Sequence, residues 1–156
     1  MPYDRWITDG LSEATEGDVI DYDTIRTRIN ELAERYRIRQ IAIDRWNATQ
    51  ISTQLAGDGF EMIGFGQGMA LMSGSMKELE RRLLAKELAH AGHPVLRWMA
   101  ANVAATQDAA GNIKPDKSKS TGRIDAIVAT IMAIGRLAAA VQATRIDSID
   151  QVLSFI

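Results

Sequence analysis

The sequence predicts an α/β fold, because short apolar runs of strand length alternate with helical stretches in the first half of the chain. Strands are predicted at Ile38–Ile43 and Phe60–Phe65, with a helix between them from about Ala48 to Leu55 that Gly57 and Gly59 would end. This connection is long enough for a right-handed crossover, so we expect the two strands to lie parallel in one sheet.

The segment ahead of these strands is predicted to supply one more strand and one helix. A short β-like stretch is predicted around Trp6–Leu11, where apolar residues stand among turn formers. Apolar residues then recur at helical spacing from Tyr22 to Tyr36, with Asp21 or Asp23 as the expected N-cap.

The second half is predicted to be helical around one hairpin. Helices are expected from about Ser75 to His90 and from Pro94 to Ala101. Two short strands flank Ala109-Ala110-Gly111 and predict a β-hairpin. The last long helix is expected from about Thr121 to Ala143, and the amphipathic tail Ile146–Ile156 is expected to pack on the body.

Composition is typical of a soluble globular protein, with 46% hydrophobic and 24% charged residues in one predicted domain over residues 1–156. Cysteine is absent, which excludes disulfides and thiolate metal sites. No apolar run approaches the roughly 20 residues that cross a bilayer, and the start lacks the pattern of a signal peptide. We therefore expect a cytoplasmic protein with no membrane partner.

Charge is divided unevenly along the chain. The net charge is −2, but residues 1–23 carry seven acids against one arginine, which leaves +4 for the remainder. This division allows a basic face on the remainder, although most surface charge only solvates a protein.

Asp44 is the first candidate for a functional residue, because it directly follows the apolar Ile41-Ala42-Ile43. A carboxylate at the end of a parallel strand faces the crevice in which ligands of open α/β sheets bind. The alternative is that Asp44 only caps the helix that begins near Ala48. Both interpretations stay open at this point.

Asp125 is the second candidate, because it stands between Ile124 and Ile127 in an otherwise apolar helical stretch. A buried, ionised carboxylate is strongly unfavourable unless it is paired or bound to a metal. Pairing with Arg123 or Lys119 would be structural, whereas metal binding would be functional.

The segment directly before Asp125, NIKPDKSKSTGR, is basic. It carries one acid, Asp116, against four cations, which are Lys114, Lys117, Lys119 and Arg123. A basic loop beside a carboxylate suits phosphodiester chemistry, because lysines hold the backbone while carboxylate-bound metals polarise the phosphate and activate water. The alternative is a solvated, mobile loop.

Two further patterns are weak. His90 and His93 are three residues apart, but Gly92 and Pro94 break the helix that would align them as a metal pair. The segment GFGQGM lacks the lysine and hydroxyl residue of a phosphate-binding loop.

An ordered set of segments resembles the C-terminal nuclease of tailed-phage terminase large subunits. The set comprises a strand followed by D-x-W-N-A, a Gln-Gly pair before a serine-bearing helix start, H-x-x-x-P-V-L-x-W-x-x-x-N-V, D-x-x-G-N-I-K-P-x-K and R-I-D-A-x-V-A-x-x-M-A. The stretch WITDGLSEATEGDVIDYDTI also resembles the family's approach to this region. The likeness covers about residues 5–140, and its specificity lies in the order of the segments.

The resemblance implies a ribonuclease-H-like fold, a mixed sheet flanked by helices, that cuts concatemeric viral DNA with two Mg²⁺ or Mn²⁺ ions held by acids. It implies that Asp44 is the acid at the end of the central parallel strand and Asp125 the acid on the late helix, both catalytic and metal-binding. The two carboxylates would then lie within reach of one divalent ion. Gln67 and Asn102 also match family positions, without an assigned role.

The resemblance further implies DNA contacts and protein partners. Duplex DNA would pass the four cations Lys114, Lys117, Lys119 and Arg123. In a full-length context the partners would be the terminase small subunit and the portal protein, in the cytoplasm of the bacterial host.

Family members also carry an ATPase motor and a first strand with another aspartate, both ahead of the region where Met1 stands. We therefore expect an N-terminally truncated domain that binds metal weakly and cuts slowly or not at all. An exposed edge of the Ile38–Ile43 strand could pair with a second copy of the chain and form a homo-oligomer. Two alternatives remain: a non-catalytic prophage remnant or interaction module, and another ribonuclease-H-like nuclease such as a junction resolvase.

Overall fold

The computed structural model describes residues 2–44 and 48–153, with residues 143–153 described by their backbone only. These residues form two compact units, a first unit over Met1–Gly66 and a second unit over Gln67–Ile156. The elements in chain order are α1 (Tyr3–Thr8), α2 (Tyr22–Arg35), β1 (Ile41–Ile43), α3 (Thr49–Gly57), β2 (Met62–Gly64), α4 (Met69–Leu84), α5 (Pro94–Asn102), β3 (Ala105–Gln107), β4 (Ile113–Pro115) and α6 (Asp125–Leu153).

The segment around Trp6 is helical, so the strand predicted there is wrong. Trp6 is buried, and Tyr3, three residues earlier on α1, meets its ring edge-to-face with 5.7 Å between centroids. The helix is followed by a turn at Gly10, whose φ of +67° is left-handed. Six residues make less than two helical turns, which is too short for sequence periodicity to separate helix from strand.

Helix α2 begins where its predicted cap stands and is held on α3 by polar contacts. The Asp21 carboxylate accepts hydrogen bonds from the amides of Asp23 at 2.9 Å and Thr24 at 3.2 Å. No residue of α2 is buried. Instead, Arg26 forms a two-pronged ion pair with Asp58, directly after α3, with an Nε–Oδ2 distance of 2.6 Å.

Strands β1 and β2 form the parallel pair that the sequence predicts, although both are shorter than expected. Ile41 is opposite Met62 and Ile43 opposite Gly64. The crossover between them is α3, which buries Ile51 and Leu55. Within the described residues neither strand pairs with a third, so the sheet of the first unit is two-stranded.

In the second unit, α4 begins and ends about one and a half turns earlier than predicted. Its end is set by Lys86, whose φ of +57° is left-handed. The amide of Lys86 donates to the Leu83 carbonyl at 3.1 Å, and that of Glu87 to the Arg82 carbonyl at 2.8 Å. This is the backbone pattern that usually ends helices at a glycine, and because a lysine takes that position here, the end of α4 is not predictable from residue type.

Helix α6 packs against α4 and α5 and supplies most of the core of the second unit. Four apolar residues in its first three turns are buried, namely Val128, Ile131, Met132 and Ile134, together with Ile124 just before it. Contrary to the expectation that no apolar run approaches the length that crosses a bilayer, the stretch Asp125–Gln142 is long and apolar enough by length and composition, with mean hydropathy 1.4. Core helices of other proteins also pass this test. The side chains of the predicted tail, from Ile146 onward, lie outside the described residues.

Candidate functional site

Asp44 lies where the sequence predicts, directly after β1 at the carboxyl end of the parallel pair. It lines a cavity of about 240 Å³. The other lining residues are Ile43, Ala48, Thr49, Ser52, Thr53 and Gly64. Because Gly64 is the last residue of β2, this cavity opens where both strands end, the usual position of a functional crevice in such sheets.

The chemistry of this cavity is that of oxygen donors. One acidic residue, Asp44, and three hydroxyl residues, Thr49, Ser52 and Thr53, line it, and hard divalent cations prefer oxygen ligands. The N-cap position of α3 is held by Ala48, so Asp44 does not occupy it. Trp46 and Asn47, which belong to the D-x-W-N-A segment, lie outside the described residues.

The β-hairpin of the second unit, β3 with β4, forms as predicted and carries Lys114. Its strands are antiparallel, with Thr106 opposite Lys114. The Asp108 carboxylate closes the turn by accepting from the amides of Ala110 at 2.9 Å and Asn112 at 2.8 Å. The hairpin is attached to α4 by a hydrogen bond from the Ile113 amide to the hydroxyl of buried Ser73 at 3.2 Å.

The segment that follows, residues 116–123, is here named the basic loop. It turns at Asp116, whose carbonyl accepts from the Ser120 hydroxyl at 2.7 Å and the Ser120 amide at 3.1 Å. The Ser118 hydroxyl donates to the Asp116 carboxylate at 2.6 Å and, with backbone amides and Lys119, lowers the pKa of that carboxyl. These bonds fold the loop into a turn, and the alternative of a solvated, mobile loop stays a prediction.

Asp125 is the first residue of α6, and its carboxylate is paired with a lysine of the basic loop. The Lys117 ammonium donates to Asp125 Oδ1 at 2.8 Å, and 58% of the Asp125 side chain is exposed. The expectation of a buried carboxylate is therefore wrong, because Asp125 starts the helix instead of lying within it. The partner is Lys117, not the expected Arg123 or Lys119.

Lys119, the other lysine of the basic loop, also faces an acid. Its ammonium lies 3.8 Å from Asp116 Oδ2 and 3.3 Å from the Thr106 hydroxyl on β3. Arg123 is exposed directly before α6. The four predicted cations therefore all belong to one unit, and two of them have carboxylate partners.

A second cavity, of about 250 Å³, lies where strand β4 passes into the basic loop. Its wall combines Gln67 and the lysines Lys114 and Lys117 with Asp116 and three apolar residues, Met72, Pro115 and Val128. Sequence reasoning gave Gln67 no role. Gln67 lines the same cavity as two lysines, and lysine and glutamine side chains are among the groups that bind phosphates.

The two candidate acids belong to different units, Asp44 to the first and Asp125 to the second. Their predicted convergence on one divalent ion stays a prediction. Within the side chains that the structure describes, no three His, Asp or Glu residues are grouped as a metal site. His90 uses its Nδ1 to accept a hydrogen bond from the Gly92 amide at 3.1 Å, as a turn residue does.

Comparison with known proteins identifies the fold and the family. A crystal structure of the large terminase of bacteriophage HK97 matches with a TM-score of 0.80 and 38% identity, over 86% of this chain and 29% of that one. The fold is therefore that of a phage terminase domain, which confirms the predicted α/β, ribonuclease-H-like class. Residues 1–141 match the family described as the terminase large subunit, endonuclease domain.

The curated relatives agree. The large terminase subunit of Enterobacteria phage HK97 is 38% identical over 136 residues, which cover 86% of this chain and 27% of the relative. Protein YmfN of Escherichia coli K12 is 31% identical over 137 residues, covering 86% and 30%. The chain thus spans less than a third of the length of these relatives, and it belongs to the terminase large subunit endonuclease-domain family.

Proposed function

We propose that this chain is the DNA-cutting part of a phage packaging terminase, which hydrolyses phosphodiester bonds of concatemeric duplex DNA with Mg²⁺ or Mn²⁺. Family membership supports the nuclease role. The observation that carries the choice of site is the contact between the exposed Asp125 carboxylate and Lys117 on the basic loop. This contact puts a potential metal ligand beside potential phosphate-binding cations.

The donor types fit a hard divalent cation. Asp125 offers an exposed carboxylate that accepts a hydrogen bond from one cation, the Lys117 ammonium. Asp44 offers a second carboxylate at a cavity that three hydroxyl residues also line. We assign metal binding to these two acids, where bound ions would polarise the scissile phosphate and lower the pKa of a water molecule.

The cations have a separate task, which is to hold the DNA backbone. Lys114 and Lys117 line one cavity, and Lys119 and Arg123 stand on the same loop. Each phosphate neutralised by such a cation releases counterions, so we expect binding that weakens steeply with salt. In a full-length terminase the small subunit and portal protein would be the partners, in the host cytoplasm.

Metal binding is tested by calorimetric titration of the purified chain with Mn²⁺. Asp44→Asn and Asp125→Asn should each lose binding heat, because each removes a charged oxygen ligand while keeping side-chain size. Asp18→Asn, a change at an exposed acid of the first unit, is the matched control and should leave the titration unchanged. Full binding in both site variants would contradict the assignment.

DNA binding is tested by fluorescence anisotropy with a linear duplex over a range of salt concentrations. In Lys114→Gln, Lys117→Gln and Lys119→Gln the negative slope of log binding constant against log salt concentration should each time become shallower by roughly 0.9, the value for one phosphate contact. Lys77→Gln, at an exposed position of α4, is the control for loss of one positive charge. Unchanged slopes in all three variants would contradict the DNA-binding assignment.

Two observations would change the functional class. Absence of both Mn²⁺ binding and DNA binding would favour a non-catalytic interaction module. A preference for four-way junctions over linear duplex in the same anisotropy assay would favour a junction resolvase.

Cleavage activity is a separate point. Brisk plasmid nicking with Mn²⁺ would contradict our expectation that this chain alone cuts slowly or not at all.

A further inference from the structure

Asn102, the last residue of α5, holds the end of the basic loop through Thr121. Its backbone carbonyl accepts a hydrogen bond from the Thr121 amide at 3.2 Å. Its side-chain Oδ1 accepts another from the Thr121 hydroxyl at 2.9 Å. Because both donors belong to one residue, these two bonds fix the orientation of Thr121 as well as its position.

The beginning of the loop is attached to the same short stretch of chain. The Asp116 amide donates to the Ala104 carbonyl at 2.8 Å, and the Ala104 amide donates to the Ser120 hydroxyl at 3.1 Å. The basic loop therefore starts and ends on residues 102–104. Lys117 and Lys119 lie between these two attachments.

The loop also lies directly against α5, with no space between them at Gly122. A Cβ atom added to Gly122 would be 2.8 Å from Cη2 of Trp98 and 2.9 Å from Nδ2 of Asn102. The Asn102 Nδ2 atom is buried and, among the described residues, has no hydrogen-bond partner. This side chain therefore makes its hydrogen bond to the loop through Oδ1 while its amino group is closed off from solvent and from DNA.

We propose that Asn102 is a positioning residue for DNA binding, which fixes Thr121 so that Lys117 and Lys119 are held ready to meet the phosphate backbone beside Asp125. The inference rests on the proposed function, because it takes the loop lysines as DNA contacts. An ordered loop loses less conformational entropy when it binds than a mobile one, so the anchor strengthens binding without touching the DNA. This gives a role to a residue that sequence comparison singled out without explaining.

The sharpest test uses a matched pair of variants at Thr121, which is exposed and carries no charge. Thr121→Val removes the hydroxyl that bonds to Asn102 Oδ1 and keeps the side-chain shape. Thr121→Ser keeps the hydroxyl. Asn102→Ala removes the acceptor itself, and the Thr121 pair keeps the test decisive if that variant folds poorly.

Two measurements on the 156-residue chain separate positioning from simple stability. Amide hydrogen exchange of the Ser118–Thr121 segment should be about fivefold faster in Thr121→Val, the factor expected for loss of one net hydrogen bond. Affinity for a linear duplex should fall roughly three- to tenfold, with a smaller salt slope because fewer phosphates are contacted at once. Thr121→Ser should match the wild type in both.

The outcomes are distinguishable. Unchanged exchange in Thr121→Val would show that the anchor does not hold the loop and would overturn the inference. Faster exchange with wild-type affinity and salt slope would overturn the link to DNA. A wild-type chain with no salt-dependent DNA binding would instead overturn the proposed function, and the inference with it.

Discussion

Replacement of Gly122 by alanine should destabilise the protein for a steric reason that can be measured. Its φ is not in the left-handed region, so alanine brings no backbone strain. In open space the change would stabilise the protein by about 0.4–1 kcal/mol through the unfolded state. Here the new Cβ would stand 2.8 Å from Trp98 Cη2, whereas carbon atoms in contact are about 3.5–4.0 Å apart.

Trp98 and Asn102 are one turn apart on α5, and the atoms that the new Cβ would meet belong to their side chains. The overlap is therefore relieved by a shift of these side chains, of the loop, or of both, which increases the separation at Trp98 by about 0.7 Å or more. Overpacking of this kind costs about 1–3 kcal/mol. For a chain of this size the melting temperature should fall by about 2–12 °C.

Thermal unfolding followed by circular dichroism tests this with an internal control of opposite sign. Gly74 lies within α4, and a Cβ there would meet nothing within 4 Å. Gly74→Ala should therefore stabilise the helix by up to about 1 kcal/mol. If Gly122→Ala melted at or above the wild-type temperature while Gly74→Ala also rose, the close packing of the loop on α5 would be refuted.

Three further results are expected. Lys117→Met should bind Mn²⁺ roughly two- to fivefold more tightly in calorimetry, because the exposed Lys117–Asp125 ion pair, worth up to about 1 kcal/mol, no longer competes with the metal for the Asp125 carboxylate. Weaker binding would count against Asp125 as a metal ligand. Arg26 lowers the pKa of Asp58 to about 2. The ion pair therefore contributes its full stabilisation at pH values above the ordinary pKa of an aspartate, and this stabilisation is lost as the pH falls towards 2. The stability difference between wild type and Asp58→Asn in urea should accordingly shrink between pH 4 and pH 2, and a constant difference would contradict the pairing. Gln67→Ala should weaken duplex binding severalfold without changing the salt slope, since an uncharged amide releases no counterions; an unaltered affinity would remove Gln67 from the DNA-binding surface.

Features set by local chemistry were predictable from the sequence. Asp21 caps α2 because its short carboxylate reaches the first free amides. The Asp108–Asn112 turn forms because one carboxylate closes it and Gly111 takes a φ of +76°. The parallel pairing of β1 and β2 follows from two apolar runs joined by a helix.

Features set by the way the basic loop folds were not predictable. Asp125 was expected inside a helix because the pattern of apolar residues continues on both sides of it, yet α6 begins only there. The loop before it is held on α5 by the hydrogen bond from Thr121 to Asn102 and packs closely there at Gly122, which apolar periodicity does not reveal. The choice of Lys117 as the partner of Asp125 likewise depends on the turn at Asp116.

The ion pairs of the basic loop limit how tightly it can hold a polyanion. Lys117 and Lys119 already face carboxylates of their own chain. A phosphate that reaches either lysine exchanges one anionic partner for another, so the net gain per contact is small. A duplex that dissociates would leave each lysine with its internal acid again, so that step would meet only a low energetic barrier.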